Sequence, residues 1–231
     1  MLQAINLTKT YQQHTALNRL NLSVGKGEVF CLLGQNGAGK TTTINLFLGF
    51  IAATSGKALI NGIEVKVNDP ATKKLIAYIP EVVTLYPNLT SLENLDFFSR
   101  LAGFRYNRAQ LEEFLTRSGL QRDAISKRLA DHSKGMRQKV GIAIALARNA
   151  EVIFMDEPTS GLDPKATDEF TGIVKSLGEA GKSVLMATHD IFNAVNVGTH
   201  VGIMRQGELV HTLSAPEISA NDLQKLYLET I

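Results

Sequence analysis

Val29-Phe30-Cys31-Leu32-Leu33-Gly34-Gln35-Asn36-Gly37-Ala38-Gly39-Lys40-Thr41-Thr42-Thr43-Ile44 is the stretch on which the reading of this chain turns. The apolar run Val29 to Leu33 ends at Gly34, and helical periodicity begins after Lys40 and Thr41. This is G-x-x-x-x-G-K-T with a strand before it and a helix after it. The glycines let consecutive backbone N–H groups turn inward around a polyphosphate, and the helix opening at Lys40 adds its positive dipole end and free amides. Lys40 supplies a point charge for the β- and γ-phosphates, and Thr41 a hydroxyl for Mg²⁺. A ligand-free glycine turn would have to match every motif position by chance between a buried strand and an amphipathic helix.

Around this stretch lie 231 residues with 24 Lys plus Arg and 22 Asp plus Glu, a net charge of +2. That balance does not point to nucleic acid or an anionic membrane as a partner. The single cysteine, Cys31, excludes an internal disulfide and reads as a small core side chain of the strand. The amino terminus lacks the basic start and apolar block of a signal peptide. No apolar run approaches the roughly 20 residues needed to span a bilayer, so a membrane role has to come through a partner chain.

The opening section is β-like. Leu2, Ala4 and Leu7 alternate with polar residues, and Leu20, Leu22 and Val24 do so again before Gly25-Lys26-Gly27. Tyr11, between them, could stack on a base or pack on the sheet. After the phosphate loop, Ile44, Phe47, Leu48 and Ile51 predict one helical face, Asn61-Gly62 a hairpin within residues 56–65, and Asp69-Pro70 a helix start. Leu75 to Ile79 reads as a strand stopped by Pro80. From Thr90 to about Ala147 the texture is helical, with Thr90/Glu93 and Asn107/Gln110 as capping boxes and Gly119 as a stop. Ser133 is the natural N-cap of a third helix buried through Val140, Ala143, Ile144 and Ala147. The expected organisation is one domain: residues 1–89 as core with an antiparallel β part, 90–150 as an inserted helical subdomain, and 151–231 as core resumed.

The resumed core begins with Val152 to Met155 and ends in Asp156-Glu157-Pro158. Two acids closing a buried strand are costly unless exposed or paired. Beside a phosphate loop, the economical assignment is Asp156 facing Mg²⁺ and Glu157 facing the attacking water. Asp163-Pro164 starts a helix buried through Phe170, Ile173, Val174 and Leu177. Gly181 ends it, and the strand of residues 183–187 runs into Thr188-His189-Asp190. Ligands of parallel α/β sheets gather at the carboxyl ends of the strands, which groups Gly34, Asp156 and His189 around one site. The other histidines read as structural or surface residues. Residues 201–204 and 208–212 predict a strand pair around Gln206-Gly207, and Pro216 onward a short terminal helix.

The ordered set of phosphate loop, Ser133-Lys134-Gly135-Met136-Arg137-Gln138, Asp156-Glu157-Pro158, Ser160-Gly161-Leu162-Asp163 and His189 resembles the ATP-binding subunit of an ATP-binding cassette (ABC) transporter over essentially the whole chain. The resemblance implies an α/β fold with a P-loop NTPase (RecA-like) core, an N-terminal antiparallel β part and an inserted helical subdomain. It implies ATP and Mg²⁺ as cofactors and ATP hydrolysis as the activity. Carried over residue by residue, Tyr11 stacks on adenine. Gly34, Gln35, Asn36, Gly37, Ala38, Gly39 and Lys40 hold phosphates. Thr41 ligates Mg²⁺ with Thr42 alongside, and Asp156 supports the metal. Glu157 is the general base, with His189 on the γ-phosphate. Two copies are expected to meet head to tail, Ser133 and Gly135 of one capping the nucleotide of the other and Asp163 lying in the crossing loop. The implied partner is a transmembrane permease subunit, which places the chain in the cytoplasm, peripheral on the inner face of the cell membrane.

Two departures from the family pattern matter. The signature Leu-Ser-Gly-Gly-Gln is here His132-Ser133-Lys134-Gly135-Met136, and the glutamine after the strand ending in Pro80 is Glu81. Glu81 still offers an oxygen to Mg²⁺ but adds negative charge. Both changes, with Leu85-Tyr86-Pro87-Asn88-Leu89-Thr90, resemble the branch that serves ABC-2 type exporters. A soluble ABC ATPase acting on a non-membrane partner is the alternative. It would resemble a tandem cassette or one split by a coiled coil, and the chain has neither. A regulatory module that binds ATP without useful hydrolysis is a third reading, disfavoured by the presence of both Glu157 and His189.

Overall fold

The computed structural model describes residues 1–231. Its elements are β1 (Leu2–Tyr11), β2 (His14–Val24), β3 (Val29–Leu33), α1 (Lys40–Phe47), β4 (Ser55–Ile60), β5 (Ile63–Glu64), α2 (Pro70–Lys73) and β6 (Ile76–Ile79). Then come α3 (Ser91–Leu101), α4 (Arg108–Arg117), α5 (Lys134–Ala147), β7 (Val152–Asp156), α6 (Pro164–Glu179), β8 (Ser183–Thr188), α7 (Ile191–Val197), β9 (His200–Arg205), β10 (Glu208–Ser214) and α8 (Ala220–Thr230). No helix is long and apolar enough to cross a membrane.

Two sheets stack. The antiparallel sheet has the order β2-β1-β4-β5, and the larger sheet runs β10-β9-β3-β8-β7-β6, parallel except for the β10 edge. Strands β3, β7 and β8 are buried along their whole length. This is why their sequences are continuous apolar runs rather than alternations. Their alternate residues feed two separate cores. Phe30, Leu32, Phe154 and Leu185 face the antiparallel sheet and α1, whereas Cys31, Leu33, Met155 and Met186 face α6, α7 and α8. Burial pushes the Cys31 thiol up, as expected of a core side chain.

Helices α3, α4 and α5 lie between β6 and β7 and close their own cluster through Leu95, Leu111, Leu115 and Val140. Both capping boxes are present, Thr90 with Glu93 and Asn107 with Gln110. Helix α5 is not confined to this block, because Ile142 and Ala145 pack into the main core. It has two apolar faces, and Ile144, expected on the buried face, is only half-buried.

Other departures are local. Helix α1 ends at Phe47, with Leu48 as C-cap and Gly49 at φ +66°, so Ile51 lies beyond it. The terminal helix starts at Ala220, after a 3₁₀ turn at Ala215–Glu217. Helix α7 has no counterpart in the sequence reading. Asp190, there read as part of a strand terminus, is its N-cap and accepts from Asn193 N–H.

Phe154 is fully buried and stacks on Phe47 with ring centroids 5.8 Å apart, joining β7 to α1. Phe154→Ala is expected to lower unfolding stability by about 3–5 kcal/mol in urea titration, the usual cost of an emptied aromatic core position.

Candidate functional site

The phosphate loop leaves the carboxyl end of β3, in the middle of the parallel sheet. Gly39 stands at φ +107°, and a Cβ there would lie 2.8 Å from the Ala16 carbonyl, so both conformation and space demand glycine. The loop is braced from the opposite strands. Gly207 N–H donates to Ala38 O at 3.0 Å, and Asn18 N–H donates to Gly207 O at 2.8 Å. Helix α1 has no side-chain cap, whereas Thr90, Asn107, Ser133, Asp163 and Asp190 each cap their helices. Its first amides therefore remain open to an anion.

Lys40 is buried, and its ammonium donates to the Gly34 carbonyl and stands 3.5 Å from Glu157 Oε1. Glu157 sits in the left-handed region at φ +45°, its N–H held by Ala187 O at 2.9 Å. That turn swings its carboxylate off the end of β7 toward β8. Oε2 accepts from the His189 backbone N–H at 3.2 Å and from His189 Nδ1 at 2.8 Å. Oε1 is buried and has no hydrogen-bond partner. A carboxylate only accepts, so Nδ1 of His189 carries the proton of that bond. The rest of the exposed ring points outward, and Nε2 can donate to an anion only if the ring is doubly protonated or turns.

Asp156 is buried next to this group. Burial pushes its carboxyl above the ordinary range, and a hydrogen bond from Thr41 acts in the opposite direction. No three His, Cys, Asp or Glu side chains converge to hold a metal unaided. The Thr41 hydroxyl and Asp156 carboxylate are the hard oxygen donors suited to Mg²⁺ that shares the oxygens of a phosphate. Glu81, expected as a third metal residue, lines the same cavity, but its Oε1 accepts from Ser160 Oγ at 2.9 Å. Its other carboxylate oxygen, Oε2, takes no part in that bond.

The cavity holding these groups measures about 370 Å³ and is lined by Tyr11, His14, Ala16, the loop residues Gln35 to Gly37 and Gly39 to Thr42, Glu81, Asp156 and Glu157. Tyr11, 44% exposed, forms its outer wall. Lys9 Nζ lies 4.8 Å from the Tyr11 ring centroid and donates to Ala52 O at 2.8 Å, which fixes one face of the ring. Residues two apart on a strand share a face, so this partner of Tyr11 was legible in principle.

Ser133, Gly135 and Asp163 do not reach that cavity. They line another of about 190 Å³ between the starts of α5 and α6. Ser133 Oγ accepts from Met136 N–H at 3.3 Å, and Asp163 Oδ1 accepts from Ala166 N–H at 2.9 Å. A concavity of about 570 Å³ beside α4 is lined by Arg108, Glu112, Glu113 and Arg117. Arg108 there pairs with Glu112 one turn on, and no phosphate-loop residue takes part.

A family model described as "ABC transporter" matches residues 17–160. The linearmycin resistance ATP-binding protein LnrL of Bacillus subtilis is 35% identical over 212 residues, which span 91% of this chain and 68% of that protein. The bacitracin transport ATP-binding protein BcrA of Enterococcus faecalis is 33% identical over 219 residues, spanning 94% and 70%. Among solved structures, a dimeric ATP-binding cassette in a post-hydrolysis state bound to ADP and Pi matches with a TM-score of 0.82 at 29% identity, over 93% of this chain and 99% of that one.

The buried charge at Asp156 carries a sign that can be tested. A carboxyl raised in the folded state weighs against folding once pH exceeds its folded pKa, and the penalty disappears below its unfolded pKa. Asp156→Asn is therefore expected to raise the thermal midpoint at neutral pH. The gain shrinks toward acid pH, where the native carboxyl takes up its proton, and midpoints measured across pH 4 to 8 check both the sign and the trend.

Proposed function

The chain belongs to the ABC transporter family of ATP-binding cassettes and is an ATPase, and from that premise we propose that two copies sandwich two MgATP to drive a separate membrane subunit of exporter type. The observation that carries hydrolysis is the state of Glu157, with one oxygen tied by His189 and the other buried, without a hydrogen bond and 3.5 Å from the loop lysine. That geometry suits a general base, since an oriented carboxylate with a free oxygen can accept a proton from water beside the γ-phosphate. Lys40 and the open amides of α1 hold the phosphates, Tyr11 stacks on adenine, and His189 orients Glu157. Thr41 and Asp156 would hold Mg²⁺, whose charge offsets that of the phosphates when it is bound. Phosphoryl transfer then relies chiefly on positioning and charge stabilisation.

The two-copy reading is supported by the separation of Ser133 and Gly135 from their own chain's nucleotide cavity. The start of α5 combines a serine cap with a glycine, a combination suited to the phosphate of a second chain. The dimeric relative bound to ADP and Pi shows such cassettes paired. We propose residues 90–150 as the helical subdomain and the surface from Glu81 through α3 as the docking face for the permease. Val82, Tyr86, Phe97 and Leu101 are exposed there, and Tyr86 packs edge-on to Phe97 at 4.9 Å. Exposed apolar side chains such as the Tyr86–Phe97 pair suit an interaction site. The relatives' resistance and transport names favour an exporter, with the chain held at the cytoplasmic face by that contact.

Glu157→Gln is expected to retain ATP binding, to cut phosphate release by about 10²-fold or more and to accumulate an ATP-bound dimer detectable by light scattering. Turnover at the native rate would remove Glu157 as the base. Ser133→Arg is expected to leave nucleotide affinity intact while abolishing ATP-driven association, and an undisturbed dimer would remove the cross-chain contact.

A further inference from the structure

Two of the residues that depart from the family pattern, Glu81 and Lys134, face one another. Lys134 Nζ lies 3.9 Å from Glu81 Oε1, the oxygen that also accepts from Ser160 Oγ. Lys134 is the first residue of α5, where the helix dipole disfavours a cation by roughly 0.3–1 kcal/mol. The carboxylate offsets that cost. One turn along the same face, Gln138 is fully buried and donates through Nε2 to the carbonyls of Pro80 at 3.3 Å and Glu81 at 3.0 Å. Helix α5 therefore grips the segment after β6 at two points, a neutral bond at its backbone and a charged one at its side chain.

Glu81 at the same time lines the nucleotide cavity beside Thr41 and Asp156. We infer that Glu81 is a positioning residue whose charge partner is Lys134. Through Ser160 and Lys134 it ties the nucleotide cavity of one chain to the loop after β7 and to the α5 start that this chain offers its partner copy. Each departure is matched by the other. A neutral side chain at position 81 would leave Lys134 uncompensated at a helix start, and a glycine at position 134 would leave Glu81 as unbalanced negative charge beside the phosphates. The coupling role rests on the two-copy reading above, whereas the pairing does not.

The test is a double-mutant cycle on the full chain carrying Glu157→Gln, with ATP-driven dimerisation as one readout and thermal unfolding without nucleotide as the other. Glu81→Gln keeps an oxygen for Ser160 and removes only the charge; Lys134→Met removes the cation and keeps the stem. Each is expected to raise the ATP concentration for half-maximal dimerisation by about threefold, the scale of a half-exposed ion pair. The double variant should be no worse than either single one. Lys134→Arg should behave as the parent, and Lys134→Met should not change the Mg²⁺ requirement. Additive effects in both readouts would overturn the pairing. A shift in Mg²⁺ requirement confined to Glu81→Gln, with Lys134→Met silent, would overturn it as well and return Glu81 to the metal. A parent that fails to dimerise while the unfolding cycle stays non-additive would instead sink the two-copy reading and the coupling with it, leaving the pair intact.

Discussion

A buried ammonium needs partners, and the surroundings of Lys40 can be understood as the answer to that requirement. Its charge sits at the mouth of an otherwise apolar sheet core, where an unpaired cation costs several kcal/mol. The loop carbonyl of Gly34 offsets part of this, and Glu157 the rest. For Glu157 to reach across, the chain must turn sharply at the end of β7, which it does through a positive φ that a glutamate rarely adopts. The turn is held by the Ala187 carbonyl, so β8 must lie between β3 and β7, as it does. Sheet order, backbone strain and the placement of His189 thus follow from one charge.

The same economy extends outward from the loop. The antiparallel sheet does more than cover the apolar face of β3. Through Asn18 and the Gln206-Gly207 turn it braces the loop at Ala38, and at the end of β1 it presents Tyr11 with Lys9 behind it. On the other face, the second apolar side of α5 anchors the helical block to the main core. The α5 start is therefore held in a defined relation to the nucleotide cavity rather than by the block alone.

The parts of this arrangement that were legible in the sequence are those written in contiguous residues. The strands around Phe30, Phe154 and Leu185 announce themselves because burial on both faces leaves no polar position to interrupt them. The capping boxes at Thr90 and Asn107 are legible because their chemistry lies within four consecutive residues. Helix α7 was missed because seven residues between Asp190 and Gly198 are too few to establish a period, and its cap coincides with the end of a strand motif. The length of α1 was overestimated because Ile51 continues the helical spacing although Gly49 has already ended the helix. The contacts of Glu81 were illegible because Ser160, Lys134 and Gln138 lie far away along the chain, and only the packing of α5 against β6 brings them together.

The choice between an enzyme and a passive nucleotide sensor can also be weighed on physical grounds. A module that only bound ATP would gain nothing from a carboxylate fixed through one oxygen and turned toward the loop lysine with the other. Glu157 Oε1 has no hydrogen bond, and the Lys40 ammonium stands 3.5 Å from it. Backbone strain at this residue, next to a phosphate loop, is what a reaction centre retains. The orientation supplied by His189 has the same meaning. It fixes the carboxylate through one oxygen and leaves the other free, an arrangement that serves proton transfer and would serve binding alone poorly.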